Sequence, residues 1–255
     1  MDKQIAIKEL LYKIADDQLI LGHRNSEWTG LGPILEEDIA FSSMAQDKLG
    51  QSQAIYNILN TLGEQDADTL AFMRNSAQFH CSHLVEMPIG GYDFSLIRHF
   101  LFDHAEWLRF DMLINSSFEP ISKLARKYRG EIKYHIMHAD VWLKQLGNAT
   151  EESHNRMQVA LDNAFNMALG IFETGPHEQL LQDEKIFEGE NILYNRWLEK
   201  ITPIIIQSNL KLPAQSASGG WNPSLGGRYG KHTEYLQPLL DEMTEVFKID
   251  PSAEW

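Results

Sequence analysis

The sequence predicts an all-α protein, built as an antiparallel bundle of long helices with additional helices packed around it. Apolar residues recur at intervals of three and four, which is the spacing of an amphipathic helix. Valine occurs only four times in 255 residues, and the period-two alternation typical of strands is hard to find. The long helical patterns are joined by short loops, which favours antiparallel neighbours.

Start and stop signals bound the predicted helices. Pro33 is a favoured first helical residue, and Asp66 or Asp68 caps a third helix that ends before Pro88. Thr150 caps the sixth, whose acidic first turn suits the positive end of the helix dipole. We expect one domain over residues 1–255, with a non-helical stretch at 211–231. The predicted helices cover about residues 2–25, 33–62, 66–87, 94–115, 120–147, 150–173, 188–210 and 233–247.

Composition excludes several classes of function. With 36 acidic and 22 basic residues, the formal net charge is −14, which disfavours contact with nucleic acid phosphates. The single cysteine, Cys81, excludes an intrachain disulfide and is typical of a reducing cytoplasm. There is no signal-peptide pattern and no apolar run of the roughly 20 residues that span a bilayer. We therefore expect a soluble cytoplasmic protein.

Long helical bundles often hold a di-iron centre, for which two helices each supply Glu-x-x-His and two others each supply a carboxylate. Residues three apart share a helix face, so this spacing directs an oxygen and a nitrogen ligand to one cluster. The sequence contains the pattern once, from Glu151 to His154, at the start of a helix rather than in its middle. Acidic residues that complement the helix dipole explain it more simply.

Two segments within helices come close to this pattern. Glu131 is followed by Tyr134 where histidine is required, and Asp47 is followed by Gly50. Asp103 lies on the apolar stripe of its helix, where a carboxylate is costly unless it has a partner. Glu131 or the Tyr134 hydroxyl is a candidate partner, and an ordinary polar network of the core is the alternative. We interpret Asp47, Gly50, Asp103, Glu131 and Tyr134 as degenerate ligand positions and predict no metal there.

Two histidine pairs, His80 with His83 and His135 with His138, have a spacing of three. The second pair, together with Glu131, could in principle bind zinc or iron. With ten histidines in the chain, chance pairs are expected, and histidines that pack in the core or lie at the surface are the favoured interpretation.

The glycine-rich run from Gly226 to Thr233 resembles a phosphate-binding loop but departs from its pattern. Leu225 stands where the first glycine is required, His232 stands where serine or threonine should follow the lysine, and no strand precedes the run. Arg228, Lys231 and His232 nevertheless suggest a loop that docks a partner or an anion, while a plain surface turn remains the alternative. No nucleophile motif occurs, and Cys81 is expected inside the third helix. We predict no catalytic residue.

Motifs along nearly the whole chain resemble, in collinear order, the C subunits of bacterial phenylacetyl-CoA epoxidases. Those that carry the resemblance are Ser26-Glu27-Trp28, Glu36 with Asp38, Leu49-Gly50-Gln51, Asp68-Thr69-Leu70-Ala71-Phe72, Leu84-Val85-Glu86 with Pro88, Tyr134-His135, Leu146-Gly147-Asn148, Gly219-Gly220, Gly230-Lys231-His232-Thr233-Glu234 with Pro238, and Met243.

The resemblance implies a ferritin-like antiparallel four-helix bundle with additional packed helices. It also implies a non-catalytic structural subunit that carries no cofactor and supports a catalytic A subunit, where the di-iron centre lies, alongside other epoxidase and reductase subunits. A homodimer is possible. Two alternatives stay open. One is an active di-iron oxygenase or ferritin-like oxidase that uses Asp47, Asp103, Glu131 and His135. The other is a helical module that binds an acyl-CoA through Arg228 and Lys231.

Overall fold

The computed structural model describes residues 2–216, 219–251 and 253, so residues 1, 217, 218, 252, 254 and 255 of the predicted domain lie outside the described residues. Within the described ranges the chain forms helices and no strand, which confirms the all-α class. The α-helices are α1 (Asp2–Ser26), α2 (Leu35–Thr61), α3 (Ala67–Phe72), α4 (His83–Glu86), α5 (Tyr92–Leu113), α6 (Glu119–Asn148), α7 (Glu151–Ala168), α8 (Glu178–Asp183), α9 (Glu190–Gln207) and α10 (Leu236–Thr244).

Helices α1, α2, α5 and α6 form a four-helix bundle. A short connection joins α1 to α2 and another joins α5 to α6, so each pair is antiparallel. The contacts within each pair accordingly run in opposite directions, as in Ala15–Ser52 and Gly22–Leu49 between α1 and α2, and His104–Asp140 and Phe110–Tyr128 between α5 and α6.

The connection from α2 to α5 crosses the length of the bundle, so these two helices run parallel. Tyr92 at the start of α5 meets Glu37 near the start of α2, and Asp103 further along α5 meets Lys48 further along α2. A bundle with one long crossover is the ferritin-like arrangement. The predicted fold class is therefore confirmed.

The additional helices α7 and α9 pack against α5. Trp197 of α9 is fully buried, stacks on Phe165 of α7 with ring centroids 5.8 Å apart, and donates its indole N–H to the Leu101 carbonyl of α5. Trp221 in the stretch after α9 meets Phe165 edge-on at 5.0 Å, which ties that non-helical stretch to the same core. Among the described residues, no helix combines the length and the hydropathy needed to cross a bilayer.

The continuous third helix predicted before Pro88 is wrong. The segment contains only α3, a 3-10 turn at Ser76–Gln78 and α4, and Cys81 lies in the extended stretch between the last two. Aspartates of α1 replace the helical hydrogen bonds here, since Asp16 accepts the His80 amide and Asp17 accepts the Ser82 amide, each at 2.7 Å. Sequence periodicity cannot register such contacts, because they come from a distant helix.

Helix ends agree with the sequence where a local cap decides them. Asp66 accepts the Thr69 amide at the start of α3, and Thr150 accepts the Ser153 amide at the start of α7. The last helix is shorter than predicted, covering Leu236–Thr244 rather than 233–247. Thr233 instead bonds through its amide and hydroxyl to Glu86, which holds the chain out of a helix at that point.

Candidate functional site

Polar residues follow the inner faces of α5 and α6, in the middle of the bundle. On α5 they are His99, Asp103 and Glu106, and on α6 they are Glu131, His135 and His138. Both sets have the spacing i, i+4, i+7, which places their members on one side of a helix. Asp103 of the first set and all three members of the second contact α2, so the bundle encloses a network of charged and histidine side chains.

Asp103 is at the centre of this network and is fully buried. Its Oδ1 accepts a hydrogen bond from Lys48 Nζ at 2.5 Å, and Lys48 is also fully buried. Its Oδ2 lies against His99 Nδ1 and 4.0 Å from His135 Nδ1. Burial alone would raise the pKa of Asp103, but the charge of Lys48 and the contact with His99 outweigh burial and hold this pKa well below its ordinary value.

Two histidines of α6 connect the network to α2. His135 Nε2 lies 3.0 Å from Asp47 Oδ2, and His138 Nε2 lies 2.9 Å from Glu37 Oε2. Burial would raise the pKa of Glu37, but its hydrogen bonds from His138 and from the Tyr92 hydroxyl lower it overall. The Asp47 side chain is 38% exposed, so the network reaches solvent at this residue.

A second buried ionic group lies further along the bundle. Glu106 accepts hydrogen bonds from Gln18 at 3.1 Å and from Arg109 Nε at 2.8 Å. Glu190 Oε1 accepts two hydrogen bonds, one from Arg109 Nη1 at 2.5 Å and one from Lys13 Nζ at 2.8 Å. Burial would raise the pKa of Glu190, but the charges of Arg109 and Lys13 lower it to about 2. This group fixes α9 to α1 and α5 through paired charges.

The structure separates the five degenerate ligand positions. Asp47 and Asp103 join the network, while Tyr134 is 55% exposed and Gly50 lies at the surface. Glu131 is half-buried, and its Oε2 is 3.3 Å from Gln51 Nε2.

Asp103 does have the buried partner that the sequence predicts, but neither candidate named for that role, Glu131 or Tyr134, contacts it. Lys48 and His99 bind it, rather than Glu131 or Tyr134, because the turn of α6 directs His135 inward and Tyr134 outward. Lys48 and His99 were missed in the sequence. The signal that could have found His99 is the i, i+4, i+7 spacing of polar residues within an apolar helix.

The predicted docking loop is divided between the interior and the surface. Arg228 is buried, and its guanidinium binds Asp17 Oδ2 at 2.7 Å, the His80 carbonyl at 2.8 Å and the Ile171 carbonyl at 3.0 Å. Its charge is therefore compensated inside the protein, which argues against a contact with an external anion. Lys231 is exposed, and docking of a partner through that residue stays a prediction.

His232 points inward, toward Glu86 and Cys81. In the part of the chain that the structure describes, these three residues form the one group of three or more histidine, cysteine and carboxylate donors whose ligand atoms all lie within 4.8 Å of one another. The histidines and carboxylates around Asp103 do not meet that spacing.

The fold and the network define a ferritin-like helical bundle whose interior is occupied by buried ion pairs and histidines. The chain belongs to the family of phenylacetic acid catabolic proteins, whose sequence pattern matches residues 2–255. It is 31% identical over 244 residues to the C subunit of 1,2-phenylacetyl-CoA epoxidase from Escherichia coli (strain K12). That comparison covers 95% of this chain and 96% of the relative. The family resemblance recognised in the sequence is confirmed.

Proposed function

We propose that this chain is a non-catalytic subunit of a multicomponent di-iron monooxygenase that epoxidises the ring of phenylacetyl-CoA. In this role it binds and stabilises the catalytic A subunit, which holds the iron, in a complex with the other epoxidase and reductase subunits. The substrate and the complex follow from the relative, which is a subunit of 1,2-phenylacetyl-CoA epoxidase. The non-catalytic role follows from the interior of the bundle.

The buried ion pair between Lys48 and Asp103 is the observation that carries the non-catalytic role. In a di-iron bundle, carboxylates and histidines on the inner faces of four helices surround two metal ions. Here an ammonium group supplies the positive charge opposite Asp103, and ammonium has no lone pair to give to a metal. The residues present therefore do not fit a di-iron centre of that kind.

Exposed apolar side chains support a role in binding another protein. Leu31 and Ile34 lie in the connection before α2, and Leu35 and Ile39 lie in its first turns. Each of these four side chains is between 46% and 70% exposed. Clustered apolar residues at a surface are typical of sites that contact another protein. We call these four residues the α2 patch and propose that it is buried against the A subunit.

Co-expression of this chain with its catalytic partner, followed by affinity capture through a tag on one chain and iron analysis of each separated chain, tests the proposal. We expect both chains to be recovered in a fixed ratio, with iron in the partner and far less than one iron per copy of this chain. Two irons per copy of this chain, accompanied by a ferric absorbance, would favour an active di-iron protein instead. Recovery of this chain alone would contradict the binding role.

A further inference from the structure

Cys81, Glu86 and His232 direct three different donor atoms toward one buried point, away from the network around Asp103. Cys81 Sγ is 3.7 Å from Glu86 Oε1 and 3.8 Å from His232 Nδ1, and the latter two atoms are 2.7 Å apart. The Cys81 and Glu86 side chains are fully buried, and the His232 side chain is 5% exposed. The proposed function does not use the motif that contains His232.

The other polar atoms of Glu86 and His232 are held by hydrogen bonds to neighbouring residues. Each of the three side chains therefore has one possible metal-ligand atom directed toward the shared point. Glu86 Oε2 accepts the Thr233 amide at 2.7 Å and the Thr233 hydroxyl at 2.6 Å. His232 Nε2 lies 3.0 Å from the Phe79 carbonyl oxygen, to which it donates. A hydrogen bond from the second ring nitrogen to a backbone carbonyl is the arrangement that orients histidine ligands in metal sites.

Close packing of the backbone brings the two parts of this group together. Gly227, in the loop that carries His232, passes so close to Cys81 that an added Cβ would lie 2.2 Å from the Cys81 carbonyl oxygen. Gly230, which lies further along the same loop, has a φ of +72°, and an added Cβ there would lie 2.3 Å from the Ala77 carbonyl oxygen. Both positions therefore require glycine, and the loop is held in the position that faces His232 inward.

Binding of a divalent cation at this group would compete with protons for the same ligand atoms. Both ring nitrogens of His232 lie against oxygen acceptors, Nδ1 against the Glu86 carboxylate and Nε2 against the Phe79 carbonyl. Burial, followed by the nearby charge of Glu86, raises the pKa of the Cys81 thiol well above its ordinary value, so the thiol is protonated. A divalent cation that binds Sγ and Nδ1 would release the protons held on these two atoms to solvent.

We propose that Cys81, Glu86 and His232 form a binding site for a divalent cation of the zinc class. Sulfur, nitrogen and oxygen donors together suit tetrahedral Zn²⁺, and three protein donors leave the fourth position to water. Bond lengths of about 2.0–2.3 Å place tetrahedral ligand atoms roughly 3.3–3.6 Å apart. The two distances from sulfur are close to this range, and the contact between Glu86 and His232 must open by about half an ångström.

Bound metal would join the loop at residues 226–233 to the end of α4, two segments that are far apart in the chain. Because the ion would bind only where all three donors meet, it would stabilise the folded state over the unfolded chain. The site would therefore be a structural clamp on the crossover connection between α2 and α5. This inference does not depend on the proposed function.

Cobalt(II) is the probe of choice, because thiolate ligation gives a charge-transfer band in the near ultraviolet and Cys81 is the only cysteine in the chain. The full-length protein is first treated with a chelator and then titrated with Co²⁺ in the presence of a reductant. We expect the thiolate band to saturate at one cobalt per chain and to disappear when Zn²⁺ is added. We also expect Zn²⁺ to raise the midpoint of thermal unfolding. These measurements need no variant, so they do not depend on the folding of one.

Cys81→Ser removes the soft ligand with little change in volume, and we expect it to abolish the band and weaken Zn²⁺ binding by about tenfold or more. His177→Asn is the matched control, since His177 contacts Glu9 at the surface and should leave the band intact. Absence of a thiolate band at one equivalent of Co²⁺ overturns the proposal. Cobalt that binds without the band, for example at His99, His135 and His138, also overturns it.

Discussion

Lys48 of α2 and Asp103 of α5 form an ion pair in the interior of the bundle, where neither side chain is exposed to solvent and Nζ lies 2.5 Å from Oδ1. Desolvation of two charges is costly, and their attraction offsets that cost only while both partners are present. His99 contacts the second oxygen of Asp103, so the carboxylate is surrounded by groups that favour its ionised form. The pair joins the two parallel helices of the ferritin-like fold.

Replacement of Lys48 by Met should destabilise the protein by about 3–5 kcal/mol, because Asp103 would remain as a buried charge without its main partner. Urea unfolding followed by circular dichroism measures this loss. The double variant Lys48→Met/Asp103→Asn removes both charges and should recover a large part of it. A loss below about 1 kcal/mol in the single variant would mean that the ion pair adds little to the free energy of unfolding beyond the packing of its two side chains.

The stability of the protein should fall as the pH decreases below about 6.5, in part because of His99. Burial lowers the pKa of His99 to about 4 and outweighs the nearby charge of Asp103, which raises this pKa. The nearby histidines His138 and His135 lower it by smaller amounts. The unfolded chain takes up this proton near pH 6.5, so it binds more protons than the folded chain between about pH 6.5 and 4. The expected loss from this residue is about 3 kcal/mol, since one pKa unit is about 1.4 kcal/mol.

Urea unfolding of the wild type and of His99→Gln across that pH range checks this expectation. The glutamine amide keeps a donor toward Asp103 but does not titrate, so the variant should lose less stability as the pH falls. Below about pH 4 both proteins should lose stability further, because the folded state also holds the pKa of Asp103 below its unfolded value. Parallel pH dependences in the two proteins would contradict the role of His99.

Two glycines of α6 should respond to alanine in opposite directions. A Cβ at Gly147 would lie 2.1 Å from the Ser208 carbonyl oxygen at the end of α9, so Gly147→Ala should cost about 1–3 kcal/mol. A Cβ at Gly130 would meet nothing within 4 Å, so Gly130→Ala should stabilise the helix by about 0.5–1 kcal/mol. Thermal unfolding of the two variants tests whether close packing of α6 against α9 is required. Equal effects would show that helix propensity alone decides both.

Charged residues in the α2 patch should weaken capture of the catalytic partner. Leu35→Glu combined with Ile39→Glu places two charges on the surface proposed to become buried, and we expect recovery of the partner to fall by at least about tenfold. Both side chains are exposed in this chain, so its thermal midpoint should change little. Val159→Glu, at an exposed position of α7, is the control and should leave capture unchanged. Undiminished capture by the double variant would exclude the patch as the interface.

Much of the fold follows from local sequence signals. The periodicity of apolar residues predicted the long helices, and the caps at Asp66 and Thr150 are present as expected. The same signals failed between α3 and α4, where Asp16 and Asp17 of α1 bind the amides of residues 80 and 82. Local propensity cannot anticipate hydrogen bonds that come from a helix more than sixty residues away.

By itself, the sequence determined the all-α class, the family and the requirement that Asp103 have a buried partner, because periodicity, collinear motifs and the cost of an isolated charge are all visible in one dimension. Only the tertiary structure decided which partner that is, since Lys48 comes from a different helix. It also directed Arg228 inward to Asp17 and brought Cys81, Glu86 and His232 to one point. Such distances depend on how helices and loops pack, which no local pattern encodes.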